Sequence, residues 1–246
     1  MARDLNAYAS FVASAGFGLA LVSALAAVLA GVGTRFEIWN FRMGLMILKW
    51  SAYGGLAATA VSLAGGLLAF RRGFGFTKAL IGLILGVALF LVPAYWLQKA
   101  HRLPPIHDIT TDTVNPPLFV SIVPLRKDAS NPPDYGGPQI ASQQLNAYPD
   151  IAPLVLDVPK EAAFEIALAA ARRLRWEIID ADRAAGRIEA SDTTFWFGFR
   201  DDIVIRVRKN NEGSRVDVRS VSRVGISDIG TNAARIRRFF REIGKQ

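Results

Sequence analysis

Three long apolar runs near the start of the chain limit its fold more than any other feature. Phe11 to Val32 contains no charged residue. At about 1.5 Å per residue, a helix of this length crosses a bilayer core of about 30 Å. It is also too long for the apolar segment of a typical cleaved signal peptide. Met43 to Phe70 and Ala79 to Leu97 are similar runs. The sequence therefore predicts three transmembrane helices, at about 11–32, 43–70 and 79–97.

The charged residues are distributed very unevenly along the chain. Residues 1–98 hold only nine of them, although the whole chain has 29 basic and 21 acidic side chains. This asymmetry predicts a membrane region at 1–98 followed by a water-soluble part. The chain has no cysteine, which excludes disulfides and thiolate metal ligands. Its net charge of +8 suits an anionic membrane surface or another anionic partner, and an ordinary solvated basic surface explains it equally well.

The apolar runs also bear on transport and on packing. No charge lies in the middle of any run, which weighs against an ion or proton path and hence against a transporter. Gly82 and Gly86 form a G-x-x-x-G motif that allows two helices to approach closely. Packing within the chain and packing against a partner both remain open for this motif.

The basic residues beside the runs give a prediction of orientation. Arg71, Arg72 and Lys78 lie in a short loop, which favours a cytoplasmic position for that loop and for the N-terminus. Three spans then place the C-terminal part on the other side. Five further basic residues at the ends of the runs weigh against this orientation: Arg35, Arg42, Lys49, Lys99 and Arg102.

Residues 99–150 are predicted to form a proline-rich segment, called the wrap below. Eleven of the twelve prolines lie between residues 99 and 159, a density that excludes long regular elements. The segment is nevertheless too apolar for a disordered spacer. We therefore expect an ordered path over the following domain, with residues 128–146 as its loosest part.

Residues 151–246 read as a soluble α+β domain. Apolar residues at helical spacing predict a helix at 159–174, and a last helix is predicted from Asp228 to Ile243 with Ser227 as its cap. Between them, alternation and β-propensity predict an antiparallel sheet of four or five strands with the two helices on one face. The predicted strands are 176–182, 187–191, 195–199, 202–208 and 215–221.

The adjacent His107 and Asp108 are the candidates for catalysis. Two histidines in the whole chain, without a metal-binding spacing, predict no metal site. A general acid or base would need a reacting group within hydrogen-bond reach. The surrounding Asp, Thr and Asn residues are typical turn formers, so a turn-rich path is the favoured interpretation.

A second polar stretch, from Arg219 to Arg235, suggests anion binding. It joins a strand end, a glycine-containing loop and a helix N-terminus, where N–H groups and guanidinium groups both favour anions. Asp228 already supplies negative charge there, so a capped helix held by Arg–Asp pairs is favoured over a ligand site. The candidate ligand-binding residues are Arg219, Ser222, Arg223, Asn232 and Arg235, together with Asp112. The adjacent Asp201 and Asp202 should point to opposite faces of a strand.

Three separated segments resemble one known family. I-H-D-I-T-T-D-T-V-N-P-P at 106–117, F-W-F-G-F-R-D-D at 195–202 and R-S-V-S-R-V-G-I-S-D-I-G-T-N-A-A-R-I at 219–236 resemble the bacterial "domain of unknown function 1499" family. The resemblance covers about residues 100–243. Shorter members look like secreted lipoproteins, which implies a periplasmic domain. Those lipoproteins often begin with a cysteine-containing motif that this chain lacks, and the resemblance implies no activity.

These observations favour a multi-pass inner-membrane protein with a cytoplasmic N-terminus and a periplasmic binding or scaffolding domain. Its partners would be the lipid bilayer and a membrane-protein or envelope component, without nucleic acid, because the aromatic and basic residues near 195–200 match no reader motif. No cofactor is expected, and the oligomeric state stays open. The alternative is a membrane-proximal hydrolase or transferase that uses the 107–112 and 219–235 motifs. Catalysis is the less favoured interpretation, although the sequence leaves it open.

Overall fold

The computed structural model of the protein describes residues 2–70, 75–211 and 213–245. They fall into two compact units. The first contains the chain as far as Gln98 and the short segment Phe195–Gly198, and the second contains Lys99–Thr194 and the chain from Phe199 onward. The predicted basic loop at Arg71 and Arg72 lies outside the described residues.

The first unit is built from three helices, α1 (Ala2–Arg35), α2 (Phe41–Ala69) and α3 (Phe76–Arg102). Each is long and apolar enough to cross a membrane, which confirms the prediction of three long apolar helices. Helices α1 and α3 extend beyond their predicted runs at both ends, whereas α2 begins two residues earlier than predicted and ends one residue earlier. At the start of α2, the Asn40 side chain accepts a hydrogen bond from the Met43 N–H at 3.0 Å and so caps the helix.

Small residues allow the three helices to pack closely. Gly82 lies against Phe17 of α1 and Ser62 of α2, and Gly86 lies against Gly55 and Thr59 of α2. A Cβ atom added to Gly86 would lie only 2.6 Å from the Gly55 carbonyl oxygen. The G-x-x-x-G motif therefore packs within the chain, as one of the two open interpretations proposed.

The segment Phe195–Gly198 packs among the helices of the first unit. The Trp196 indole N–H donates to the Val28 carbonyl at 3.3 Å, and its ring lies where a Cβ on Gly31 would collide with it. Gly198 has a φ of +69°, which interrupts an extended path. The predicted strand at 195–199 is therefore wrong, because these residues form the loop between two strands.

The second unit contains a six-stranded antiparallel sheet, which confirms the predicted sheet type. Five strands run in the order β1-β6-β5-β4-β3, and β2 also pairs with β6. The strands are β1 (Asp108–Thr110), β2 (Leu154–Leu156), β3 (Glu177–Asp182), β4 (Arg187–Thr193), β5 (Arg200–Asn210) and β6 (Gly213–Ser222). The prediction missed β1 and β2, which are three-residue strands too short to show alternation.

Helices α5 (Lys160–Arg173) and α6 (Thr231–Ile243) cover one face of the sheet. Their apolar side chains form the main core with the alternate residues of β4, β5 and β6. Within this core the rings of Trp176 and Phe239 stack with centroids 5.3 Å apart. Burial of this apolar surface is the main source of stability for the unit.

Helix α6 begins later than predicted. The Asp228 carboxylate accepts hydrogen bonds from the N–H groups of Gly230 at 3.0 Å and Asn232 at 2.6 Å. Gly230 itself has a φ of +78°, so the helix starts at Thr231. Ser227 Oγ accepts the Ile229 N–H at 3.2 Å, before the helix begins, so its predicted role as the cap is wrong.

The part of the wrap around Phe119 lies over the opposite, polar face of the sheet, whereas Ile106, Ile109 and Tyr148 of the wrap belong to the main core. Phe119 and Ile122 pack against Val204 and Val221 of that face. The predicted loosest part, 128–146, overlaps the 11-residue helix α4 (Gly137–Ala147), so the expectation is wrong for residues 137–146. The helix is fixed by Gln144, whose buried amide accepts the Thr110 N–H at 2.9 Å and donates to the Thr110 carbonyl at 2.7 Å.

Candidate functional site

The two predicted motifs meet in the interior of the second unit. Strand β1 pairs with β6, and this pairing brings the Asp108 carboxylate to the Arg219 guanidinium. Arg219 Nε donates to Asp108 Oδ1 at 2.9 Å, and Nη2 donates to Oδ2 at 2.7 Å. The side chains are 0% and 7% exposed for Arg219 and Asp108 respectively. This is the bidentate geometry that makes an Arg–carboxylate pair strong.

The Arg219 guanidinium has further partners besides Asp108. Its Nη2 also donates to the Pro133 carbonyl at 2.8 Å, and its Nη1 donates to the Pro117 carbonyl at 3.3 Å. The rings of Phe119 and Tyr135 lie 5.1 and 5.5 Å from its guanidinium carbon, within cation–π range. The guanidinium is therefore a structural centre that ties the wrap to the sheet.

His107 and Asp108 have separate partners. His107 Nδ1 lies 3.3 Å from the Ile226 carbonyl oxygen, whereas both oxygens of Asp108 accept from Arg219. Burial raises the pKa of Asp108, although the hydrogen bonds and charge of Arg219 act in the opposite direction. Burial, and then the charge of Asp108, raise the pKa of Tyr135 to about 12. A general base must be within hydrogen-bond reach of its substrate, and the near-complete burial of Asp108 and its pairing with Arg219 disfavour that role.

A second buried ion cluster forms around Asp202, on the same face of the sheet. Arg223 Nε and Nη2 each donate to its carboxylate at 2.9 Å, and Ser191 Oγ donates to it at 2.6 Å. Arg126 Nη1 also donates to Asp202 Oδ2. Burial lowers the pKa of Arg126, and its Nε has no hydrogen-bond partner in the described part of the chain.

The residues of the opposite face form a third cluster, around Arg235 of α6. Arg235 donates to Asp201 at 2.6 Å, to Asp192 at 2.9 Å and to Ser220 at 3.1 Å. Against the effect of burial, the charges of Asp201 and Asp192 raise the pKa of Arg235. Asp201 and Asp202 therefore point to opposite faces of β5, as their adjacency predicts.

Asn232 joins this cluster to the 107–112 motif. Its side-chain N–H donates to the His107 carbonyl at 2.9 Å and to Ser222 Oγ at 3.1 Å, and its Oδ1 accepts from Ser220 at 2.7 Å. The six candidate ligand residues thus lie in separate places. Arg219 and Arg223 belong to the wrap side, whereas Ser222, Asn232 and Arg235 belong to the α6 side. Each has partners within the chain, and their binding of a ligand stays a prediction.

Asp112, the sixth candidate, lies in a different cluster that the sequence reasoning did not foresee. This arginine cluster consists of Arg206, Arg208 and Arg215 with Asp112 and Asp217. Asp217 is completely buried and pairs with all three arginines, at 2.9, 3.0 and 2.9 Å. The alternation of β5 and β6 already places the three arginines on one face, and this was the signal that could have found the cluster.

Glu189 on β4 is a further residue that sequence reasoning missed. Its Oε1 accepts the backbone N–H groups of Val120 and Ser121 at 2.8 and 3.2 Å, and its Oε2 accepts that of Ile122 at 2.8 Å. The residue is completely buried. One carboxylate thus fixes a turn of the wrap on the sheet.

Within residues 2–70, 75–211 and 213–245, no group of three or more His, Cys, Asp or Glu residues could hold a metal ion. An apolar depression lies on α3 and is lined by Ile81, Ile84, Leu85 and Ala88. It lies on a predicted membrane span, where lipid chains would fill such a surface.

The chain was also compared with known proteins. A family model described as "Protein of unknown function (DUF1499)" matches residues 108–243, more than half of the chain. The match begins at the first residue of β1 and ends at the last residue of α6. The three apolar helices precede it. No curated protein matches the chain.

Proposed function

The chain belongs to the DUF1499 family of proteins of unknown function, and from that premise we propose that it is a bacterial inner-membrane protein with a periplasmic domain. In this proposal the sheet domain binds or scaffolds a component of the cell envelope. The three apolar helices hold the domain at the membrane, and the wrap provides its contact surface.

The outer side of the wrap carries this proposal. Five large apolar side chains are exposed within residues 114–125, and they are called the wrap surface here. They are Val114, Leu118, Val120, Val123 and Leu125, with exposed fractions of 95, 68, 54, 40 and 51%. Single exposed apolar residues are ordinary, but such a density on one segment is typical of a contact surface.

The inner side of the same segment is rigidly held, which suits binding. Glu189 accepts three of its backbone N–H groups, and Phe119 and Ile122 are buried against the sheet. A segment that is already ordered loses little conformational entropy when a partner binds. The wrap surface is therefore pre-organised for a partner with an apolar contact face.

The placement in the periplasm rests on topology and charge. Three helices place the two ends of the helical region on opposite sides of a membrane. Arg71 and Arg72 lie between the second and third helices in the sequence, and Lys78 lies in the first turn of the third. These basic residues favour the cytoplasm for that end of the helices. The resemblance to secreted lipoproteins also favours a periplasmic domain.

The absence of cysteine from the chain makes this topology directly testable. A single cysteine in place of Val114 should react with a membrane-impermeant maleimide in intact spheroplasts. The control is Thr77→Cys at the exposed start of α3, which should react only after the membrane is permeabilised. Labelling of Val114→Cys only after permeabilisation would show that the domain is cytoplasmic.

The contact role is tested by partner capture. The full chain is purified from native membranes in mild detergent, and co-purifying proteins and lipids are identified with wild type and Leu118→Asp. The variant should lose a partner that the wild type retains. Leu145→Asp, at a position that is 50% exposed on α4, is the matched control and should retain it. A wild-type protein that is monomeric and free of both partner and bound lipid contradicts the proposal.

A membrane-proximal hydrolase or transferase is the second candidate. One observation favours it: the 107–112 and 219–235 motifs are in contact through Asp108 and Arg219. The burial of Asp108 and its pairing with Arg219 weigh against it. A turnover that disappears in Asp108→Asn while the sheet domain remains folded would support this candidate over the binding role.

A further inference from the structure

The arginine cluster presents an unusual arrangement of like charges. Arg208 on β5 lies directly opposite Arg215 on β6, and Arg206 is opposite Asp217. Like charges directly opposite each other destabilise a strand pair unless anions lie close by. Asp217 is one such anion, and its side chain is completely buried.

The second anion is Asp112, which the wrap supplies. Its Oδ2 lies 2.8 Å from Arg215 Nη2, 3.2 Å from Arg206 Nη2 and 3.5 Å from Arg208 Nη2. A single oxygen atom of a carboxylate thus meets three guanidinium groups. Guanidinium forks offer the same contacts to a phosphate oxygen. The position of Asp112 shows that the three arginines converge on an oxyanion.

The cluster retains one positive charge after this pairing, because three arginines face two aspartates. The side-chain exposures of the five residues indicate that this positive charge faces solvent. The side chains of Arg208 and Arg215 are 40 and 34% exposed, whereas those of Asp112 and Asp217 are 11 and 0% exposed. An anion that approaches from solvent therefore meets arginine before it meets either carboxylate.

We propose that Arg208 and Arg215, supported by Arg206, bind the phosphate group of an anionic ligand beside Asp112. Val114, whose side chain is 95% exposed, lies two residues from Asp112, and its backbone N–H donates to the Asp112 carboxylate at 3.2 Å. An apolar side chain next to a basic cluster suits a phospholipid, whose phosphate and hydrocarbon lie close together. A soluble phosphate ester offers the same oxyanion chemistry. Val114 also belongs to the wrap surface, but this inference does not depend on the periplasmic placement or the protein partner proposed above.

The test uses the full chain in nanodiscs. Inorganic phosphate is titrated onto protein in phosphatidylcholine nanodiscs at constant ionic strength. In parallel, phosphatidylcholine nanodiscs are compared with nanodiscs that contain phosphatidylglycerol. The readout is hydrogen–deuterium exchange of the peptides that cover residues 110–116 and 204–217, which should slow on binding.

Variants locate the binding at the cluster. Arg208→Gln should weaken phosphate binding roughly tenfold, since one charge-assisted contact and one positive charge are lost. Arg183→Gln removes the same charge from a side chain that is 73% exposed and pairs with Glu165, so it should bind as wild type does. If Arg208→Gln does not fold, Arg208→Lys replaces it; this variant keeps the charge, loses the fork and should bind more weakly than wild type.

The outcomes separate the two sources of phosphate. Slower exchange with inorganic phosphate supports the site and indicates a soluble phosphate ester. Slower exchange only with phosphatidylglycerol supports the site and indicates a lipid headgroup. Unchanged exchange with both probes, or equal binding by wild type and the Arg208 variant, overturns the proposal.

Discussion

Asp108 and Arg219 are 111 residues apart in the sequence, and their side chains form two parallel hydrogen bonds in the interior of the second unit. Asp108 opens β1, the strand that follows the membrane helices, and Arg219 lies on β6 near the end of the chain. The pair therefore joins the first strand of the sheet to the last. The contribution of this pair to the stability of the second unit can be measured.

Asp108→Asn should destabilise the second unit by about 3–5 kcal/mol, because it leaves the buried Arg219 charge without a carboxylate. Hydrogen exchange of the β5 and β6 amides in detergent measures the loss. Asp150→Asn is the charge-matched control, since Asp150 pairs with Arg237 at the surface and its side chain is 55% exposed. That control should change stability by less than about 1 kcal/mol. Equal effects of the two substitutions would show that the buried pair is not a structural centre.

Glu189→Gln should loosen the wrap. The glutamine side chain retains one acceptor oxygen, whereas the carboxylate uses both oxygens to accept N–H groups of residues 120–122. We expect a loss of about 1–3 kcal/mol, since a buried N–H group is left without a partner. Exchange at residues 120–122 should accelerate more than exchange in α5. Glu161→Gln, at an exposed position in the first turn of α5, should leave exchange of the wrap unchanged.

Acid should weaken the attachment of the wrap at Asp112. Burial acts to raise the pKa of Asp112, but the Asn115 N–H and the charges of Arg215 and Arg206 outweigh it and lower the pKa below the usual 3.8. A lowered folded-state pKa stabilises the fold above pH 3.8, and that contribution is lost as the pH falls from 3.8 toward the folded-state value.

Asp112→Asn removes this contribution at every pH. Its unfolding free energy should therefore fall less steeply than that of the wild type in the window below pH 3.8. Parallel curves for the two proteins would show that Asp112 does not couple proton binding to folding. The measurement is the urea dependence of exchange at residues 110–116, recorded across the acid range.

Gly86→Ala should disturb the packing of the three helices. The added Cβ would lie 2.6 Å from both the Gly55 carbonyl oxygen and Thr59 Oγ1, so a helix must move. Overpacking of this kind costs about 1–3 kcal/mol. Gly18→Ala on α1 is the control, because its Cβ would have no atom within 4 Å. Thermal aggregation in detergent, followed by size-exclusion chromatography, should begin at a lower temperature for Gly86→Ala only.

Local sequence patterns predicted those parts of the fold that local physics determines. The apolar runs predicted α1, α2 and α3, and the alternation of 202–208 and 215–221 predicted β5 and β6. Helix α5 followed from its apolar spacing. Each of these elements can be recognised from its own residues, by the length of its apolar run, the period of its apolar residues or its intrinsic propensity.

The remaining elements depend on contacts between distant residues. Helix α4 lies in a Pro- and Gly-rich stretch and is held by Gln144, whose partner Thr110 is 34 residues away. The aromatic run at 195–199 has high β-propensity, but Gly198 at positive φ makes it a loop. The role of Glu189 depends on backbone N–H groups that a separate segment brings to it. The periodicity of one segment cannot predict contacts of this kind, because they depend on residues in another segment.

The position of β6 has a consequence for the order in which the domain is made. β6 lies between β5 on one side and β1 and β2 on the other, so β1 has no partner strand to join until Gly213–Ser222 has been synthesised. Phe119 and Ile122, whose apolar contacts include Val221 of β6, are synthesised about a hundred residues earlier. Until β6 has been synthesised, these apolar side chains of the wrap therefore remain exposed to solvent. Pairing over such a distance is intrinsically slow, and it makes the interval between emergence and closure the time at which this domain is most exposed to aggregation.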